Sequence, residues 1–222
     1  MLEFKDLENE VKFYAKKEQR FFNPNFSGTS DIPIGVSIPT LKELAKKYKN
    51  LNLEEFKIDG YFEYRFLYFL IAFLNFRTFE ETISFIKDNS SEYIGWGLTD
   101  STYQFIPIKK DFNETFKIIK KLSVDENQYI RRLAYLLCFK YKKDKANLNK
   151  IFSLFKNDGA YYVQMVESWL LCELYIYHFN ETFIFLETAK LDKIIINKAI
   201  SKIHDSYRIS KENKEKVKEI RR

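Results

Sequence analysis

The chain is poor in everything that breaks a helix. Its 222 residues include only six glycines and four prolines, too few to supply the turns of a sheet-rich fold. Cysteine is scarcer still. Cys138 and Cys172 each fall inside an apolar run, which excludes a disulfide framework and reads as two buried thiols in a reducing compartment. The two histidines, His178 and His204, stand apart from each other and from the cysteines. No metal-ligand spacing results, so neither metal nor cofactor is expected. There is no glycine-rich phosphate loop and no nucleophile elbow. The longest apolar run, 66–74, is far shorter than the roughly 18 residues of a membrane span. The start, Met1-Leu2-Glu3-Phe4-Lys5-Asp6, lacks the basic-then-apolar order of a signal peptide. These absences predict a soluble cytoplasmic protein, monomeric by default.

What is present is apolar and basic. Hydrophobic residues make up 45%, enough for a sizeable core at this length. The formal charge of +6, with a pI near 9.0, favours an anionic partner, nucleic acid first. The 22 phenylalanines and 15 tyrosines carry little functional weight by number alone.

Helical periodicity runs from end to end. Residues 2–20 read as an amphipathic helix with Leu7, Val11, Phe13 and Tyr14 turned inward, and 21–37 as a loop. Pro39 opens the next helix, where a missing N–H costs least, and Leu41, Leu44, Ala45 and Tyr48 recur at helical spacing. A short helix at 53–58 and a strongly apolar one at 61–76 follow. The pattern then alternates in pairs: 79–87 with 91–105, 112–122 with 127–142, 148–155 with 161–177, and 179–189 with 193–205. First helices open on near copies: Phe79-Glu80-Glu81-Thr82, Phe112-Asn113-Glu114-Thr115-Phe116, Phe179-Asn180-Glu181-Thr182-Phe183 and, more weakly, Leu148-Asn149-Lys150-Ile151-Phe152. Their first positions lie 33, 36 and 31 residues apart, a helical-pair repeat. One pair buries its apolar face only by stacking on the next. The expected fold is therefore all-α, a right-handed α-solenoid of HEAT-like pairs. It forms a single domain over 1–222, with N-terminal helix 2–20, loop 21–37, repeats 39–206 and a polar tail at 210–222.

Second helices carry the candidate chemistry. Trp96 and Asp100 are four residues apart, hence one turn apart on one helix face. Arg132 follows after 36 residues and Trp169 after a further 37, so stacking in register would bring all four to one inner surface. Two indoles, an acid and a guanidinium suit a cationic, flat or sugar-like group beside phosphates. A tryptophan in such a pattern also serves as core, and an aspartate one turn on as surface or cap. The lysines of Lys46-Lys47-Tyr48-Lys49 and Lys140-Tyr141-Lys142-Lys143-Asp144-Lys145 either track phosphates or solvate helix ends.

With these residues in order, the chain resembles the bacterial alkylpurine DNA glycosylases built from HEAT-like repeats, the AlkC/AlkD type or DNA alkylation repair family. Ile34-Gly35-Val36-Ser37-Ile38-Pro39-Thr40-Leu41 is similar to that family's early Gly-Val-x-x-Pro-x-Leu segment. Trp96-x-x-x-Asp100 is similar to its Trp/Asp pair, and Arg131-Arg132-Leu133-Ala134 with Lys140-Tyr141-Lys142 to its arginine helix. Trp169 stands at its second tryptophan. The stretch from Asn197 to Ile203, with Ser206-Tyr207-Arg208, is similar to its last repeat. There are departures. The fuller motif is Trp-Trp-Asp-x-x-Asp, where this chain has Gly95-Trp96-Gly97-Leu98-Thr99-Asp100. A family tyrosine near the end of the first helix falls on Phe21 or Phe22, and His204 stands where arginine is common.

The resemblance implies excision of N3- or N7-alkylated purines from double-stranded DNA. Asp100 would stabilise the charge developing on the sugar, Trp96 and Trp169 would offer π faces to the cation, and Arg132, with Arg131, Lys140, Lys142 and Arg208, would hold phosphates. Spacing alone does not choose between Arg131 and Arg132; the resemblance favours Arg132. Some relatives keep the fold, lose the activity and bind branched or distorted DNA, which remains the alternative. A HEAT-type protein scaffold is a third.

Overall fold

The computed structural model describes residues 3–18 and 27–221. Among them are twelve α-helices and no strand beyond one isolated bridge between Ile32 and Tyr61, so the expected all-helical class holds. No helix among the described residues is long and apolar enough to cross a membrane. The chain divides into two compact units, Met1–Lys109 and Lys110–Arg222.

The first unit contains α1 (Phe4–Glu18), α2 (Ile38–Lys47), α3 (Phe62–Asn75), α4 (Phe79–Asp88) and α5 (Trp96–Thr102). Leu7 and Val11 of α1 are sealed in the core, but Phe13 is 60% exposed, against the inward position its spacing predicts. The α2 positions Leu41, Leu44, Ala45 and Tyr48 are all buried. α3 is apolar on most of its surface and packs against both α2 and α5, as a helix buried on nearly every side must. The expected helix at 53–58 shrinks to a 3₁₀ turn at Leu53–Glu55. The expected helix at 91–105 begins only at Trp96, because Gly95 takes φ +90°, a left-handed conformation incompatible with helix.

The second unit contains α6 (Phe112–Leu122), α7 (Gln128–Cys138), α8 (Leu148–Phe152), α9 (Tyr161–Tyr177), α10 (Phe179–Thr188), α11 (Lys193–Asp205) and α12 (Lys211–Lys218). Here the second helices form a layer, α7 packed on α9 and α9 on α11, with α6 against α7 and α10 against α9. This is the stacking of helical pairs found in an α-solenoid. The repeated Phe-x-x-Thr motif has a plain physical basis. Thr82, Thr115 and Thr182 are each fully buried in the first turn of α4, α6 and α10, with Phe79 and Phe112 nearly so. The turns are capped: Thr78 and Glu81 form a reciprocal box on α4, and Asp111, Asn127 and Ser210 cap α6, α7 and α12.

Candidate functional site

In the first unit, α3 holds both the segment that leads to α2 and the entry to α5. The Glu63 side chain is wholly buried, and its carboxylate accepts the backbone N–H groups of Ile34 at 2.8 Å, Gly35 at 2.7 Å and Val36 at 3.1 Å. Gly35 takes φ +111°, which turns successive N–H groups into an anion-binding concavity. Two residues on, Arg65 grips Asp31 through Nε at 2.6 Å and Nη2 at 2.9 Å, while Nη1 donates to the Glu92 carbonyl at 2.9 Å and to its carboxylate. One helix thus anchors both the 31–36 segment and the entry to α5.

α5 then starts under a second strand of chain. The Gly97 N–H donates to the Ser27 carbonyl at 3.1 Å. A Cβ at Gly95 would sit 2.7 Å from both the Ser27 oxygen and Thr29 Cγ2, and one at Gly97 would sit 3.2 Å from Ser27 Cα and from Phe62 Cε2. Gly95 and Gly97 are therefore the residues that let 27–29 lie on the first turn of α5. Trp96 opens the helix and Asp100 follows one turn later; both are partly exposed. The Thr99 hydroxyl lies 3.2 Å from the Trp96 carbonyl and 3.2 Å from Asp100 Oδ1. Beneath them Tyr93 is sealed in the core; burial pushes its phenol up, and the nearby Asp100 charge adds to the effect. The Phe21 or Phe22 position lies outside the described residues.

In the second unit the two arginines of α7 are both tied to protein. Arg131 forms a fork on Asp158 (Nε 2.6 Å, Nη2 3.1 Å) and donates to the carbonyls of Asp125 and Glu126 at 2.8 and 3.0 Å. Arg132 is 5% exposed and donates from Nη1 to the Tyr162 carbonyl at 2.5 Å. It bridges α7 to the first turn of α9, whereas a phosphate fork would need a solvent-facing guanidinium.

The remaining basic residues gather elsewhere. Glu173, one turn past Trp169 on α9, is nearly buried and takes Lys142 Nζ at 2.5 Å on one oxygen and the Arg208 guanidinium on the other. Burial alone would raise this carboxyl, but the hydrogen bonds from Arg208 and Lys142 outweigh it and hold it below the usual range. Lys142 also lies 5.4 Å from the Phe139 ring and 5.5 Å from the Tyr177 ring, and Lys143 lies 5.7 Å from Tyr177. Phe139 meets the partly exposed Trp169 edge-on at 4.6 Å. Trp169, Lys142 and Arg208 are thus brought together around Glu173. Beside them Lys110, Lys140, Lys142 and Lys143 line a cavity of about 470 Å³, and burial pushes the Lys140 ammonium down to about 8. The lysines of 46–49 sit otherwise: Lys46 pairs with Glu43 at 2.8 Å and Lys47 with Glu10. Among the described residues no group of His, Cys, Asp and Glu has the clustering of a metal site.

A family model described as DNA alkylation repair enzyme matches residues 2–203. The chain belongs to that family. No curated protein matches it. Membership in the DNA alkylation repair enzyme family brings a role in the repair of alkylated DNA and an interaction with DNA. Within that frame, three charged residues escape a reading of motifs: Glu63, Arg65 and Glu173. Their signal is compositional. Each is a charged residue type inside a largely apolar helix, held there by the partners described above.

Proposed function

We propose that the protein is a DNA glycosylase that releases N3- or N7-alkylated purines from duplex DNA. The observation that carries this reading is the presence on α5 of a partly exposed indole and carboxylate, Trp96 and Asp100, one turn apart in a chain of this repair family. An alkylated purine is already cationic, so it departs with the glycosidic electron pair as a neutral base and needs no general acid. The positive charge passes to the sugar, water adds at C1′, and one proton is released. The demand on the protein is electrostatic. Asp100 stabilises the developing sugar cation and orients the water, and the Trp96 face contributes a cation–π attraction of roughly 0.5–2 kcal/mol.

On the second unit, Trp169, Lys140, Lys142 and Arg208 contact the DNA. Arg132 serves as a positioning residue that fixes α9, and Arg131 caps the approach to α7 through Asp158. Incubation with duplex DNA carrying one 7-methylguanine tests the proposal: base release well above the uncatalysed rate is expected, and its absence from folded protein counts decisively against it.

One observation favours a second reading. Gly95 and Gly97 stand in place of a family Trp and Asp, and their space is taken by residues 27–29. A non-catalytic relative that binds branched or distorted DNA would tolerate that exchange. It predicts salt-sensitive binding without base release.

A further inference from the structure

The turn that joins α11 to α12 presents one aromatic side chain to solvent. Tyr207 is 102% exposed, whereas the next most exposed large hydrophobic residue among those described is Val124 at 63%. Isolated exposed aromatics are common and need no explanation by themselves. This one is distinguished by how firmly the backbone on either side is held. The Ser206 N–H donates to the Ile203 carbonyl at 3.3 Å, and the Arg208 N–H to Ser206 Oγ at 3.3 Å. The Arg208 guanidinium is anchored on the nearly buried Glu173. Ile209 is 9% exposed, and Ser210 caps α12. α12 in turn is pinned by buried Val217 and by the Tyr175 hydroxyl, which donates to the Asn213 carbonyl at 2.7 Å. The ring is held out by a turn that has little freedom to fold it back, so little entropy is lost when a partner covers it.

Its surroundings say what that partner is. Arg208 and Lys142 share the two oxygens of Glu173, Lys142 and Lys143 lie over the half-exposed Tyr177 ring, and both lysines continue into the cavity lined by Lys110 and Lys140. Cations alternate with π faces. An apolar protein segment would have to desolvate these ammonium groups without pairing them. Nucleic acid meets both needs, with phosphates for the cations and a base for the ring. In a fully paired duplex, however, each base face is covered by its neighbours. A projecting ring finds a π face only where a base has left the stack.

We propose that Tyr207 is a stacking residue for an unpaired or unstacked base, with Arg208, Lys142 and Lys143 on the flanking phosphates, so that this surface selects DNA with a local interruption of pairing. The inference rests on the DNA-binding reading above. It adds a residue and a substrate feature to it.

The test uses the full chain and two duplexes of one sequence, one fully paired and one with a single bulged 2-aminopurine, titrated by fluorescence anisotropy at one salt concentration. The wild type is expected to prefer the bulged duplex by about fivefold or more, the range of one base–aromatic stack, and to quench the bulged 2-aminopurine. Tyr207→Ala should bring the two affinities within about twofold and abolish the quenching, with affinity for paired duplex retained; Tyr207→Phe should behave as wild type. Because the side chain is fully exposed, both variants should melt with the wild type, which thermal unfolding checks. Preference and quenching that survive Tyr207→Ala, or a wild type that binds paired duplex with no preference for the bulge, overturn this inference alone. A chain that binds neither duplex overturns the DNA-binding reading with it.

Discussion

Glu167 is a carboxyl with no water to face. It is fully buried on α9; its Oε1 accepts the Lys156 N–H at 3.2 Å, while Oε2 has no hydrogen-bond partner among the described residues. Burial, only partly opposed by the Tyr135 hydroxyl and the Lys156 N–H and reinforced by the charges of Asp158 and Asp192, pushes this group up from its ordinary 4.5 to about 7. The folded state therefore binds the proton more tightly than the unfolded chain. Between roughly pH 4.5 and 7, stability falls as pH rises, and the full penalty applies above that window. At order of magnitude the penalty is about 3 kcal/mol. Glu167→Gln is expected to raise the melting temperature at pH 8 by several degrees and to flatten the profile across that window; thermal unfolding from pH 5 to 8 reads both. An unchanged profile would mean that Glu167 is solvated in the folded chain. Asp100 makes a kinetic prediction instead. Asp100→Asn should lower the rate of 7-methylguanine release by roughly 10²–10³, the usual cost of losing an electrostatic stabiliser, with DNA affinity largely kept. A variant with the wild-type rate removes Asp100 from the mechanism.

At the scale of elements, the first unit depends on α3 as a scaffold for chain that has no regular structure of its own. Glu63 replaces three water contacts that Ile34, Gly35 and Val36 would otherwise need. Glu63→Ala leaves the buried Gly35 and Val36 donors without this acceptor and is expected to destabilise the unit by about 3 kcal/mol or more, seen as a lower midpoint in urea. A change below about 1 kcal/mol would show the segment to be held by other contacts. Gly95→Ala should be costly for a different reason, a φ of +90° together with a 2.7 Å approach to Ser27 and Thr29. It should cost more than about 1 kcal/mol.

Much of this architecture is legible in the residue order. α6, α9 and α11 begin and end where the periodicity places them, at Phe112–Leu122, Tyr161–Tyr177 and Lys193–Asp205. The misses share a cause, which is local backbone chemistry that an apolar pattern does not record. Gly95 shortens α5, and the run to residue 142 gives way after Cys138 to a 3₁₀ turn at Phe139–Tyr141. The ties between helices were half legible. Lys142 and Glu173 are 31 positions apart, and Glu173 and Arg208 are 35, both close to one repeat. Repeat spacing therefore nominates neighbours in the stack. It does not say which of two adjacent arginines is buried, because one residue on a helix turns the side chain by about a quarter of a circle.

For the molecule as a whole, a net charge of +6 sets the electrolyte dependence of any grip on DNA. Affinity should fall as salt rises, with a logarithmic slope of about 0.9 for each phosphate neutralised. Glu173 modifies that expectation. Two of the cations proposed to meet DNA, Lys142 and Arg208, are already partnered with it, so they would gather fewer anions from solution. Glu173→Gln is expected to steepen the slope by roughly one, measured by anisotropy across a salt series; an identical slope would place both cations off the DNA path. In effect the protein carries part of its own ionic atmosphere, covalently attached. On the proposed path, a phosphate arriving at this face would displace a tethered carboxylate rather than a dissolved ion, and no mixing entropy would be gained from that exchange. Contact there would be looser in dilute electrolyte than a count of lysines suggests and would persist further into concentrated electrolyte, a compromise that would suit a repair protein searching long stretches of undamaged duplex.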